Sequence, residues 1–213
     1  MAGRILIVAN TALSASISGH AQFVSPITSD RAAELVQELR EFPAAIPGVA
    51  RNRPDVREER RRAVYDELWT LGAAAFPALI RGLTDPDVQV RRNVALFLNA
   101  AGGNWYDRRR PRLNIRPCLT AMIAALEDSD ARVRALAAQA IGTLGSEAAA
   151  AVPALISLLG SADEGSRNSA CIGLRGVGPA AKEALPALRK ALSDPSADVR
   201  HFAGLAIAAI EAR

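Results

Sequence analysis

Apolar and polar residues follow one another along this chain with the period of a helix. After Arg91 the apolar positions fall at Val94, Leu98 and Ala101; after Arg134 they fall at Ala137, Ile141 and Leu144. Steps of three and four residues place such positions on one face of an α-helix. The same stripe follows Arg61, Arg167 and Arg200, so five amphipathic helices are expected, one per copy of the pattern.

The copies are evenly spaced. Arg134, Arg167 and Arg200 stand 33 residues apart, and the gap of 43 from Arg91 to Arg134 is that period plus ten residues. A fixed period of this length is the mark of a solenoid built from stacked units. Each position of the frame has a physical reading. Six residues before the arginine stand Asp55, Asp85, Asp128, Ser161 and Asp194, all residues suited to capping a helix N-terminus. Pro86 and Pro195 would then occupy the first helical turn, where a missing N–H costs nothing. Gly72, Gly102, Gly145 and Gly178, eleven residues after the arginine, suit a left-handed turn that ends the helix.

A shorter helix precedes each of these, marked by FPALIRGL at 76–83, VPALISLL at 152–159 and LPALRKAL at 185–192. The third copy has CLTAMIAAL, with Thr120 in place of the proline. SDRAAELVQELREF, starting at Ser29 or Asp30, supplies the first outer helix. Each unit is therefore helix, turn, helix, and one pair cannot bury its apolar face alone. The expected fold is all-α: an α-solenoid of about five stacked pairs, at 29–72, 73–102, 113–145, 146–178 and 179–213, with an insertion at 103–112.

The D-P-x-x-x-V-R pattern, the apolar frame, the closing L-G and the P-A-L opening of the partner helix resemble HEAT repeats. They are most similar to the short phycobilisome-lyase type, well over residues 55–213 and loosely over 29–54. That resemblance implies a hydrogen-bonded ladder between neighbouring repeats. It would be carried here by Asp55, Asp85, Asp128 and Asp194 with Arg61, Arg91, Arg134, Arg167 and Arg200. Ser161 and Ser166 depart from the pattern and mark the fourth repeat as the softest joint.

Composition narrows the chemistry. Half of the residues are apolar but only 4% are aromatic, which favours closely approaching helices rich in Ala. The net charge of +4 is mild, and from Leu113 onward ten basic residues balance ten acidic ones, so nucleic acid is disfavoured as a partner. At the N-terminus, Arg4, an apolar stretch from Ile5 to Leu13 and the small residues of Gly19-His20-Ala21 have the order of a secretory signal. Export with cleavage near Gln22 is expected ahead of a disordered or mis-started terminus, and the stretch is too short and polar to span a bilayer.

Catalytic equipment is thin. His20 and His201 are the only histidines, no spacing suggests a metal cluster, and no cofactor is implied. Some HEAT-type proteins are di-iron hydroxylases carrying His-Glu pairs on their helices; this chain has no such dipeptide, which rules out that branch. Cys118 and Cys171 replace mainly small residues of the frame and read as buried, inert thiols; a Cys171–His201 dyad lacks a third group to orient it. GLRGVG at 173–178 closes a helix of the frame and is structural, and REERRR at 57–62 reads as a solvated helix face with a Glu58–Arg62 pair.

Two surfaces remain as binding candidates. The insertion GNWYDRRRPR carries Trp105 and Tyr106 beside Arg108, Arg109, Arg110 and Arg112, residue types that stack and grip anions. The inner ridge, read one and five residues after each frame arginine, includes Arg92, Leu96, Ile172, His201 and Leu205. Apolar residues on a ridge facing a groove suit a protein or peptide ligand. The sequence thus reads as a non-enzymatic scaffold binding a protein or peptide partner. A nucleic-acid-binding HEAT-like protein is the alternative, and a phycobilisome-lyase-like helper in chromophore attachment the third reading. The last helix, with Phe202 and Leu205 outside the main stripe, is expected to support self-association.

Overall fold

The fold is seen in a computed structural model that describes residues 26–42, 56–103 and 110–212. Residues 1–21, Asp55, Trp105, Tyr106, Arg108 and Arg109, and the readings placed on them, lie outside the described residues. Ten α-helices and no strand are present among those described. They pair as α1 (Pro26–Glu38) with α2 (Val56–Leu71), α3 (Phe76–Gly82) with α4 (Val88–Gly103) and α5 (Leu119–Ala125) with α6 (Ala131–Gly142). The last two pairs are α7 (Val152–Leu158) with α8 (Glu164–Val177) and α9 (Leu185–Ala191) with α10 (Ala197–Glu211). The second helices α4, α6, α8 and α10 pack each on the next and form the inner layer, with the short helices outside them. This is a helical solenoid.

The apolar stripe is its core. Val64, Val94, Ala137, Ala170 and Ala203 are all buried, as are Leu68, Leu98, Ile141 and Leu174 one turn further on. Ile207, at the corresponding place in α10, is only half-buried.

Two features of the frame differ from the sequence reading. The residues six before the arginine are not the helix caps. The caps stand two residues later: Asp130, Asp163 and Ser196 accept from the backbone N–H of Val133, Ser166 and Val199. Asp85, Asp128 and Asp194 instead close a turn ahead of the cap, accepting the N–H of Asp87, Asp130 and Ser196 at 2.8, 2.8 and 2.9 Å. Pro86 and Pro195 accordingly lie before the helices that start at Val88 and Ala197, and their fixed φ stiffens the turn. The second correction concerns Gly102. Gly72, Gly145 and Gly178 do adopt the left-handed φ of 55°, 62° and 66°, each turning an inner helix into the next outer one. Gly102 stays inside α4, which runs to Gly103, and its missing side chain admits Thr143 instead: a Cβ there would stand 2.2 Å from Thr143 Oγ1.

The ladder is real and has a division of labour. Arg91 spends Nη1 on the carbonyls of Asp85 and Pro86 in its own turn, at 2.9 and 3.1 Å. Its Nε and Nη2 reach the carboxylate of Asp128 in the next repeat, at 2.7 and 3.1 Å. Arg167 repeats this with Ser161 and Ala162 in its own turn and with Asp194 beyond, at 2.8 and 2.9 Å. At the third joint, where Ser161 offers no carboxylate, Arg134 Nε donates to Ser166 Oγ at 3.2 Å. The two departures of the fourth repeat are therefore one compensating pair. Arg200 braces Asp194 and Pro195 in the same way, at 2.6 and 2.9 Å.

The first joint is built differently. Tyr65 and Trp69 meet Phe97 edge-on, with ring centroids 5.4 and 6.0 Å apart. Aromatic bulk here holds the helices apart, whereas Gly142, Gly173 and Gly176 let α6 and α8 touch backbone to backbone. A Cβ on Gly173 would stand 2.7 Å from Ala138 O. Arg61 consequently does not reach Asp85, which is met by Gln37 at 3.0 Å and by Arg40. Arg61 is buried instead, paired with Glu58 at 2.6 Å and lying 5.5 Å over the Tyr65 ring. The solvated face read for REERRR holds for Arg62, which is exposed and pairs with Glu58, but not for Arg61. Asn93, also buried, donates to the carbonyls of Leu39 and Phe42 and so satisfies the orphan acceptors where the first outer helix ends.

Candidate functional site: a groove on the inner helices

A groove of about 410 Å³ crosses α4, α6 and α8 on the inner layer. It is lined by Asn99, Gln139, Gly142, Thr143, Ile172, Arg175 and Gly176. These residues stand five, eight and nine positions after the frame arginines, on one face of successive helices. The helices position them by the same contacts that build the core: where glycines bring α6 and α8 together, the groove has a floor of main chain.

A chain of side-chain hydrogen bonds runs along this surface. Asn99 Nδ2 donates to Gln139 Oε1 at 3.0 Å, and Gln139 Nε2 donates to Ser169 Oγ at 3.1 Å. One link per repeat fixes the amides and leaves further donors and acceptors on them. Thr143 Oγ1 donates to Ala140 O at 2.6 Å and lies against Gly102 of α4, where a Cβ would stand 2.2 Å from it. At the rim, the Arg175 guanidinium stacks 5.7 Å over the ring of Phe202, which in turn meets His201 edge-on.

The residues singled out in the sequence fall into three groups. Ile172 is in the groove, half-buried, and Leu205 is exposed on α10 at 38%. His201 is exposed beside Phe202. Leu96 is a correction: it is 3% exposed and belongs to the core, on a helix packed against both α6 and the 3-10 end of α1. Arg92 is on the ridge but engaged, holding the helix cap Asp130 through both its Nε and Nη2. That contact keeps the Asp130 carboxyl below the usual carboxylate range. Arg110, at the described end of the insertion, turns back onto the first repeat. It pairs with Asp66 at 2.9 Å and lies 5.7 Å over Trp69, whose Nε1 donates to Pro111 O. Arg112 is exposed.

Asn99, Gly142, Thr143, Arg175 and Gly176 were missed in the sequence, although five, eight and nine share one helical face. Both cysteines are free and buried, and burial pushes each thiol up to about 12. No cluster of three metal-ligating side chains occurs among the described residues, and no described helix is long and apolar enough to cross a membrane.

Known proteins place this geometry. Residues 119–208, the stretch holding α6, α8 and most of the groove, match the family model of HEAT repeats. Over those residues the chain carries HEAT repeats. Among solved structures, the solenoid is similar to the complex of CpcE and CpcF of phycocyanin lyase from Nostoc sp. PCC7120. That match has 25% identity and a TM-score of 0.53, over 79% of this chain and 70% of that one. A designed armadillo repeat protein in complex with the peptide (KR)4 matches at 18% identity and a TM-score of 0.56, over 86% and 90%. An engineered protein matches at 17% identity and a TM-score of 0.54, over 87% and 97%. No curated protein sequence matches the chain.

Proposed function

We propose that this solenoid is a non-catalytic scaffold that binds a partner protein or peptide along its inner helices. The observation that carries the reading is the groove itself, which crosses three repeats and is lined by fixed amides, a half-buried isoleucine and a rim arginine. An apolar floor with a few convergent polar groups is the usual composition of a ligand site. The designed armadillo relative, whose solved complex holds a peptide, supports the same use of the fold.

The test is capture from the native host by tagged wild-type protein and by Ile172→Arg. A partner that co-purifies with the wild type and is lost from the variant, at unchanged melting temperature, is the expected result. Equal recovery by both proteins would move the binding surface away from the groove.

A further inference from the structure

Resting on that reading, the charge and shape of the groove point to one class of ligand. We infer that it takes an extended segment in which an aliphatic side chain is followed closely by a carboxylate. The first ground is Arg175. Arg62, Arg92 and Arg110 on the inner surface are neutralised by Glu58, Asp130 and Asp66. Arg175 has no carboxylate partner among the described residues and is held instead by the face of Phe202. It is an exposed cation at the rim of the groove, resting on the Phe202 ring and open to an anion from solvent. A guanidinium is planar and its paired N–H donors fit a carboxylate.

The second ground is the floor. Ile172 is half-buried beside Gly142 and Gly176, which line the groove where the backbones of α6 and α8 meet. An aliphatic side chain of the ligand can lie on Ile172 while its own backbone comes close to the helices. The third ground is the amide chain. Gln139 uses one N–H on Ser169 and its oxygen on Asn99, and Asn99 Oδ1 accepts no hydrogen bond from the described residues. A remaining donor on one repeat and a remaining acceptor on the next match the alternating N–H and C=O of an extended strand. Helix axes about 8–10 Å apart and about 3.3 Å of rise per extended residue give two to three ligand residues per repeat. A segment of about six residues therefore spans the three helices.

The test uses the full chain and three end-blocked, fluorescent hexapeptides of alternating leucine with glutamate, glutamine or lysine, read by anisotropy at low salt. The glutamate peptide is expected to bind about tenfold more tightly than the glutamine peptide, the increment of one positioned charge pair, with lysine weakest. Arg175→Gln should erase the difference between glutamate and glutamine, and Ile172→Ser should weaken all three. Glutamate binding no better than glutamine, with both still sensitive to Ile172→Ser, overturns the acidic assignment and leaves the groove as the binding surface. Binding indifferent to Ile172→Ser overturns the groove reading as well. A preference for lysine, or a glutamate preference that survives Arg175→Gln, also refutes the assignment.

Discussion

Arg91 and Arg167 each do two jobs with one side chain: Nη1 closes its own turn and the Nε–Nη2 edge reaches the next repeat. The contact with Arg167 keeps the carboxyl of Asp194 below its usual range, and Arg92 does the same for Asp130. A depressed folded value means that these rungs stabilise the protein fully above the ordinary carboxylate pKa of about 4 and are lost as pH falls through the lower folded values. Thermal melts should therefore be flat from about pH 7 to 5 and fall steeply below about pH 4. Asp194→Asn should cost about 1–2 kcal/mol near neutrality and flatten part of the acid limb, which a pH series of melts on both proteins would show. At Gly176 the limit is space. A Cβ would stand 2.7 Å from Gly142 Cα, so Gly176→Ala should destabilise by about 2 kcal/mol, as overpacking against backbone does. An unchanged denaturation midpoint would mean that α6 and α8 do not touch as described. At this scale the arginines and the stripe were legible in the sequence, but the cap was not. Asp128 and Asp130 are equally good caps by type, and only the backbone shows which carboxylate meets Val133 N–H.

Between elements, each joint uses its own means of closure. The second and last joints carry carboxylate rungs, the third a serine, and the first a group of aromatic rings. Ser161 and Ser166 looked like two separate departures because a repeat frame compares equivalent positions and does not show which of them touch across a joint. Their coupling can be measured. Ser166→Val alone should cost about 1 kcal/mol by leaving Arg134 Nε without its acceptor, and Ser161→Asp in the same chain should restore a carboxylate rung. A double-mutant cycle is expected to give a coupling of about 1 kcal/mol; strictly additive effects would refute the compensation. The enclosure of Leu96 was not legible for a related reason. Its place in the frame matches Ile172, but Leu96 lies in the core, and long-range packing of this kind has no trace in local spacing. Asn93 did leave a trace, as a buried polar residue at a place where the third copy has Leu136.

Across the whole molecule, the period of 33 residues made the solenoid readable from sequence alone, since each repeat restates the same helix pair. The groove was readable in part. Gln139 and Ile172 lie on the ridge five residues after the arginine, and extending that ridge by three and four residues along the helix reaches Asn99, Gly142, Thr143, Arg175 and Gly176. The depth of the groove, however, comes from how glycines and alanines let neighbouring helices close up, which only the packed array reveals. Salt offers a global check on what the groove prefers: affinity for an acidic segment should fall as ionic strength rises and the field of Arg175 is screened. The most direct measurement of the account is a backbone amide NMR titration of the full chain with the leucine–glutamate hexapeptide. The account predicts shifts concentrated at Gln139, Gly142, Thr143, Ile172 and Gly176, with the outer helices α5, α7 and α9 unmoved. Shifts confined to the outer helices or to the 103–112 insertion, with the groove signals unchanged at saturation, would contradict it.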